Sequence, residues 1–326
     1  MSAWTKNAVT AAMLILGVTG TYAAADDYPT RPIRLIVPYP PGGSTDPTGR
    51  ALGQWLSEKF GQTVVVDNRG GAGSTIGHAI GAQASPDGYT LLLGTSGGLV
   101  VGPAYGTKIQ YDPEKDFAPI GLAVDAPFVI AVHPSVAAKN IQELIALAKA
   151  QPRKINFGSP GAGTPNHLGM ELLNALAGTT FVHVPYKGGG PALLDLMGGR
   201  IDALFGSPAY ISPAVKSGKV RIIATGHPTR IRSMPNVPAI AEILPGFTNT
   251  TWYGLLAPAG TPQPIINKIN AEMNVALKNA EFMKNLEALG LLPITSTPAE
   301  LGNRIKSELS RWRKVIKDAG VGLKQP

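Results

Sequence analysis

An α/β fold in two domains is what this sequence predicts, on three observations. Short apolar segments of strand character alternate with segments of helical spacing. The same alternation restarts near the middle of the chain. No low-complexity linker separates the two halves, because the 39 glycines and 29 prolines of the 326 residues stand as punctuation between periodic segments. Short buried strands separated by helices imply βαβ units and a parallel sheet in each half.

In the first half, Ile33 to Val37 is β-branched, bounded by prolines, and reads as a strand. A Gly-rich turn leads to a helix over Thr48 to Phe60, where Leu52, Trp55 and Leu56 share a face. Strand Thr63 to Asp67, helix Ser74 to Gln83 and strand Tyr89 to Leu93 follow, the last opened by the turn Pro86-Asp87-Gly88. In the second half the strands are Phe128 to Val132, Ile155 to Phe157, Phe181 to Pro185, Ala203 to Phe205 and Val220 to Ala224. Helices are expected at Ile141 to Ala150, Asn166 to Ala177 and Pro191 to Met197, then at Pro264 to Leu277, Ala280 to Leu289 and Pro298 to Ala319. Without a linker, the chain must cross between domains as strands or tight hinges, and Val124-Asp125 and Thr250-Trp252 are the expected crossings. One domain is then 26–124 plus 253–326, built from both chain ends, and the other is the insertion 125–252.

Lys6, the apolar run Ala8 to Gly20 and the small residues of Tyr22-Ala23-Ala24-Ala25 have the order of a secretory signal, cleaved after Ala25. The apolar run is too short to span a bilayer comfortably. The mature chain is expected to be soluble and outside the cytoplasm. It has no cysteine, so its core must hold the fold without disulfides. The formal charge of +8 falls to +7 on cleavage, since the removed segment holds Lys6 and no acid. The basic residues are scattered, with a loose cluster at Arg311, Arg313, Lys314 and Lys317 and no interleaved aromatics. That pattern reads as a solvated helix face and argues against nucleic acid.

The chemistry lies in two turns. Pro40-Pro41-Gly42-Gly43-Ser44-Thr45-Asp46 follows a strand and precedes a helix, at the strand end where open α/β sheets bind ligands. Glycines let backbone N–H groups approach a ligand closely. The helix N-terminus adds unpaired donors and a positive dipole end that favour an anion. Ser44 and Thr45 add hydroxyls. Asp46 has two readings: an N-cap, or a group that bonds a polar part of the ligand or fixes the loop. Ser159-Pro160-Gly161-Ala162-Gly163-Thr164 repeats the logic, with Thr164 as cap and Pro165 at the first helical position. His167, one turn on, is either structural or a ligand contact. One such turn on each lobe of a cleft would hold a carboxylate with neutral donors and exclude water on closing, offsetting the several kcal/mol that burying an unpaired carboxylate costs.

Other patterns carry less. Gly70 to Ser74 resembles a phosphate-binding turn, but its spacing is GxGxxxG; no Walker-type sequence exists. Lys187-Gly188-Gly189-Gly190 has its Lys before the glycines. Gly94-Thr95-Ser96-Gly97-Gly98 matches the nucleophile-elbow pattern of serine hydrolases, but Gly97, Gly98, Val100 and Val101 start a helix poorly, and Ser96 reads better as a cleft-lining donor. Without cysteines or paired histidines at ligand spacing, no metal or other cofactor is expected.

The runs IRLIVPYPPGGSTD, VVVDNRGGAGSTIG, SPDGYTLLLGTSG, INFGSPGAGTPNHLGMELL, VPYKGGGPALLDLMGGRIDALF and WYGLLAPAGTP, in this order, resemble the Bug (TctC-type) solute-binding proteins of tripartite tricarboxylate transporters. The resemblance implies a periplasmic binding protein type II-like fold with a ligand cleft between two α/β domains. It implies capture of a small mono- or dicarboxylate, aliphatic or aromatic, by a monomer that delivers it to membrane permease subunits. Carried onto this chain, the ligand contacts are Tyr39, Gly43, Ser44 and Asp46 with Ser96 nearby, and Ala162, Gly163, Thr164 and His167 with Ser207 lining the cleft. Tyr39 is placed either to stack on an aromatic acid or to plug the strand end. Pro40, Pro41 and Pro47 make the first turn stiffer than the commoner family form. Two alternatives stand beside this reading: a secreted serine hydrolase using Ser96, and a ligand-presenting partner of a membrane sensor.

Overall fold

The computed structural model describes residues 27–41 and 45–319. The signal-like segment, its expected cleavage point after Ala25, and the site candidates Gly43 and Ser44 lie outside the described residues. In chain order the first half comprises β1 (Ile33–Val37), α1 (Thr45–Phe60), β2 (Val64–Asn68), α2 (Thr75–Ala82), β3 (Thr90–Thr95), a π-type turn Gly97–Val101 running into α3 (Gly102–Tyr105), and β4 (Phe117–Pro127). Then come β5 (Val129–Val132), α4 (Ile141–Ala150), β6 (Asn156–Ser159), α5 (Pro165–Ala177), β7 (Val182–Pro185), α6 (Gly189–Met197), β8 (Ala203–Gly206), α7 (Pro208–Lys216) and β9 (Arg221–Thr225). The chain closes with β10 (Thr250–Pro258), α8 (Gln263–Ala276), α9 (Ala280–Ala288), β11 (Leu292–Pro293) and α10 (Pro298–Ala319).

Two sheets form, as the restarted strand–helix alternation implies. One has six strands in the order β11-β4-β10-β3-β1-β2 and the other five in the order β7-β6-β8-β5-β9. The parallel expectation needs correction. β1 pairs in parallel with β2 and β3, and β6 with β7 and β8, but β10 runs antiparallel to β3 and β4, and β5 antiparallel to β8 and β9. The reversed strands are those by which the chain enters one sheet from the other. They arrive without the crossover helix that would turn them parallel. The long strands β4 and β10 carry no clean strand pattern because Pro119, Gly121 and Gly254 interrupt them, and their ladder shifts register at Tyr253/Gly254 and Leu255/Leu256. Helix α7 escaped the sequence reading because Pro213 lies inside it.

The helices pack as their spacing demands. Leu52 and Leu56 of α1 are fully buried on the first sheet, and a Cβ on Gly49 would lie 2.6 Å from Val37 Cγ2, so a bare helix face is required there. Helix α10 buries Leu301, Ile305, Leu309, Trp312 and Ile316, one stripe three to four residues apart. That stripe joins a core with Trp252, Leu256 and Leu168, so α10 covers both the return strand and the start of α5. Each such side chain contributes about 1.5–3 kcal/mol on burial.

Candidate functional site

β1, β2 and β3 run parallel, so their carboxyl ends at Val37, Asn68 and Thr95 lie along one edge of the first sheet. β6 ends at Ser159 in the second sheet, where the chain turns into α5. A cavity of about 260 Å³ lies between these edges. Tyr39, Ala72, Gly73, Thr75, Gly97, Tyr105 and Thr107 line it from the first lobe, and Ala162, Gly163, Thr164 and Pro165 from the second. No charged side chain of the described residues lines it.

The second-lobe turn is built from its own hydrogen bonds. Gly161 (φ +150°) and Gly163 (φ +73°) take conformations that disfavour a side chain. Ser159 Oγ donates to Gly161 O at 3.0 Å, and Thr164 Oγ1 donates to the same carbonyl at 2.7 Å. Thr164 also caps α5 by accepting from His167 N, with Pro165 at the helix start. The backbone N–H groups of Ala162 and Thr164 have no hydrogen-bond partner among the described residues, and both residues line the cavity. Gly163 N–H is not free: it donates to His167 Nδ1 at 3.2 Å.

His167 therefore supports the turn from behind. It is 6% exposed, does not line the cavity, and places Nε2 3.6 Å from Glu171 Oε1. Its ring stacks on His183 with centroids 3.9 Å apart, and Tyr105 meets it edge-on at 5.7 Å. His183 Nε2 lies 2.6 Å from Ser159 Oγ. Burial, with the neighbouring His167 next in weight, lowers His183 to about 4 against a partial offset from Glu171. Burial pushes Glu171 up, but hydrogen bonds from His167 and Asn174 and the charges of His167 and His183 outweigh it and hold its carboxyl below the ordinary range.

In the first lobe, the Tyr39 hydroxyl points inward. Burial raises it above the phenol range, and the nearby Ser74 and Thr95 side chains pull it back. Asp46 is not an N-cap: α1 starts at Thr45, and the Asp46 carboxylate accepts from Asn68 Nδ2 at 3.0 Å and Arg50 Nε at 3.1 Å. Asn68 Nδ2 also donates to Tyr39 O at 3.0 Å, so Asp46 ties the first turn to the end of β2 and stays off the cavity wall. Ser96 is 2% exposed and pairs with Thr251 Oγ1 at 2.8 Å. None of its hydrogen bonds reaches a histidine, and Gly97–Val101 forms a π-type turn in place of the helix that a nucleophile elbow needs. Ser207 stands at the N-cap position of α7, 3% exposed, without lining the cavity; its Oγ has no partner among the described residues.

Eight cavity residues lie outside the sequence-predicted contacts: Ala72, Gly73, Thr75, Gly97, Gly102, Tyr105, Thr107 and Pro165. Tyr105 and Thr107 flank the end of α3, in a stretch with no recognisable pattern. Ala72 and Gly73 belong to the Gly-rich turn that was set aside for its spacing, although it follows a strand and opens a helix like the two favoured turns.

His78 fastens this region. It is fully buried; Nδ1 donates to Ser74 O at 2.8 Å and Nε2 accepts from Thr95 N at 3.2 Å, the arrangement of a neutral ring. Burial lowers its pKa to about 4. A histidine held below its unfolded value of about 6.5 contributes stability that is complete above pH 6.5 and lost as pH falls toward 4. Thermal melts should be flat from pH 7 to 8 and should drop between pH 6.5 and 4, by about 3 kcal/mol for His78 and less for the partly buried His183. A His78→Gln variant that retained the same pH slope would refute this assignment.

The sequence matches a family described as TctC, tripartite tricarboxylate transporter family receptor, over residues 49–321. Protein BugT of Bordetella pertussis is 37% identical over 303 residues, 92% of this chain and 93% of BugT. The structure of Rpa4515 of R. palustris with adipate superposes with a TM-score of 0.85 at 32% identity, covering 90% of this chain and 99% of that one. MatC (Rpa3494) from Rhodopseudomonas palustris with bound malate gives 0.80 at 32% identity, covering 89% and 100%. Two strand–helix lobes around a cleft and this match over most of the chain lead to one conclusion: the chain belongs to the TctC family of tripartite tricarboxylate transporter receptors, the Bug-type solute-binding proteins.

Proposed function

We propose that this chain is a periplasmic receptor that captures a small mono- or dicarboxylate between its lobes, as a monomer, and delivers it to the membrane permease subunits of a tripartite tricarboxylate transporter. The carrying observation is the pair of unpartnered N–H groups, Ala162 and Thr164, at the capped start of α5 on the wall of a cavity without charged side chains. Neutral donors at a helix N-terminus suit a carboxylate, whose charge the dipole end favours. The adipate and malate bound by two similar proteins are ligands of that class. Gly43 and Ser44 would complete the first arm. Tyr39 would bound the ligand, while Asp46 and His167 would position the turns. Ser96 and Ser207 would act from behind the wall.

The moving bodies would be 26–124 plus 253–326, and 125–252, hinged where β4 and β10 pair Asp125 with Trp252. The signal-like N-terminus and the periplasmic setting of the family support export. The chain would be no enzyme, since Ser96 is committed to Thr251. Ester hydrolysis that vanished in Ser96→Ala would overturn that reading.

The test is a thermal-shift and calorimetry panel of aliphatic, aromatic and amino-acid carboxylates. A true ligand at about 100 times its Kd adds about 2.7 kcal/mol, which raises Tm by roughly 5 °C or more. Absence of any shift across the panel would refute carboxylate capture.

A further inference from the structure

Two histidines are stacked behind the second turn. His167 and His183 lie ring on ring with centroids 3.9 Å apart. Two positive rings at that spacing repel one another, so the pair takes a single proton. The ionisable groups set against it come from several elements. Glu171, on α5 itself, stands 3.6 Å from His167 Nε2, and hydrogen bonds and the histidine charges hold its carboxyl below the ordinary range. Tyr105 meets His167 edge-on from the first lobe, its hydroxyl raised by burial and by the charge of Glu171. β6 contributes the neutral Ser159. Helix α10 packs its apolar stripe around Leu168 of α5, and its Arg304 is engaged by Asp125 and Glu308. Burial, then the charge of His167, lowers His183 to about 4, so the pair's proton belongs on His167, beside the Glu171 carboxylate.

The hydrogen bonds fix where that proton goes. His167 Nδ1 accepts from Gly163 N–H at 3.2 Å, so the neutral ring carries its hydrogen on Nε2, toward Glu171. A second hydrogen must sit on Nδ1, where it faces Gly163 N–H donor to donor. Reversal of the Ala162–Gly163 peptide resolves the conflict. The Ala162 carbonyl accepts no hydrogen bond among the described residues, and reversal turns it toward Nδ1–H. The same movement turns Gly163 N–H away from the ring and toward the cavity that Gly163 lines. It changes φ of Gly163 from +73° by about half a turn, and glycine takes both signs of φ with similar ease. The charge balance moves in the same sense. With both rings neutral, Glu171 leaves a negative charge behind a cavity that no charged side chain of the described residues lines. One proton on His167 cancels it.

We infer that the stacked pair makes anion capture proton-coupled: a carboxylate entering the cavity draws one proton from solvent onto His167 Nδ1, the Ala162–Gly163 peptide reverses, and Gly163 N–H joins those of Ala162 and Thr164 on the ligand. This concerns the regulation of the site proposed above and rests on that reading. Because binding takes up a proton, acidification tightens binding for as long as the ligand stays ionised.

The experiment is calorimetry with adipate, malate and benzoate at pH 7, in phosphate and in Tris. These acids are ionised at that pH, and the two buffers differ in ionisation enthalpy, so the difference in heat counts the protons taken up. Wild type should take up about half a proton or more per acid bound, and its affinity should rise roughly threefold or more from pH 8 to pH 6. His167→Asn keeps an acceptor at the place of Nδ1 but cannot be charged. It should bind without proton uptake and with a flat pH profile. Uptake that persisted in His167→Asn, or wild type that bound an acid with no uptake, would overturn the coupling while leaving carboxylate capture standing. Should none of the three acids bind, the tightest acid of the carboxylate panel takes their place; failure of the whole panel would instead remove the carboxylate reading itself. Should His167→Asn not fold, nitrogen resonances of labelled wild type decide. On saturation with the acid, His167 Nδ1 should move to the protonated position and the Gly163 amide should shift with it. An Nδ1 resonance that stayed put at saturation would also refute the coupling.

Discussion

Gly163→Ala is expected to weaken ligand binding tenfold to a hundredfold. The added Cβ would stand 2.6 Å from Tyr105 Cδ1 and 3.1 Å from Cε1, on a residue whose φ is +73°. Tyr105 has little room to yield, because it is 8% exposed and its ring is set edge-on against His167. Overpacking of this kind costs about 1–3 kcal/mol. Gly163 belongs to the second lobe and Tyr105 to the first, so the cost falls on the closed arrangement of the cleft and appears as lost affinity, about tenfold per 1.4 kcal/mol. Tyr105→Ala removes the obstructing ring. The double variant Gly163→Ala/Tyr105→Ala should therefore lose less affinity than the sum of the two single changes. Calorimetry on the four proteins checks this. Strict additivity, or unchanged affinity in Gly163→Ala, would show that the two residues do not meet on closure.

Arg304→Ala should lower the unfolding free energy by about 2–4 kcal/mol, near the range for breaking a buried ion pair. Arg304 Nη2 lies 3.2 Å from Asp125 Oδ2 and its Nε donates to Glu308 Oε1 at 2.9 Å. The guanidinium also sits 5.7 Å from the Trp252 ring centroid, and Trp252 Nε1 donates to Glu308 Oε2. Asp125 and Trp252 face each other in the β4–β10 ladder. Asp125 Oδ1 already has no partner among the described residues. Without Arg304, two mostly buried carboxylates would be left near one another without their shared cation. A lysine is a poor substitute, since one ammonium cannot reproduce the planar fork that spans both carboxylates. Urea melts of wild type, Arg304→Ala and Arg304→Lys check this; a midpoint for Arg304→Ala within error of wild type would refute it.

Much of the local structure was readable because its causes are local. The β-branched run Ile33 to Val37 and the stripe of Leu52 and Leu56 announce a strand and a helix through their own periodicity. Thr164-Pro165 states a helix start by cap chemistry alone, and the structure places the cap there. The long crossing strands were not readable from periodicity, because Pro119, Gly121 and Gly254 break it; ladder bonds to distant partners hold them extended. The fate of single polar groups was equally hidden. Asp46 had two readings, cap or loop-fixing group, and Asn68, 22 residues away, is what takes up its carboxylate. Ser96 matched a nucleophile pattern only formally, and the partner that takes up its hydroxyl, Thr251, lies 155 residues away.

The amino-acid order by itself determined that Gly-rich turns follow strands and open helices, and that PPGGSTD and SPGAGT offer backbone donors at positive helix ends. Backbone conformation and helix dipoles are local properties, and glycine, proline and Thr164 encode them within a few residues. Only the tertiary structure decided which donors remain available. Gly163 N–H is taken by His167, while those of Ala162 and Thr164 remain, and the neglected turn at Ala72 and Gly73 keeps two more on the opposite wall. Whether a donor is free depends on acceptors brought close by packing between segments far apart in the chain, and no short stretch of sequence contains that information.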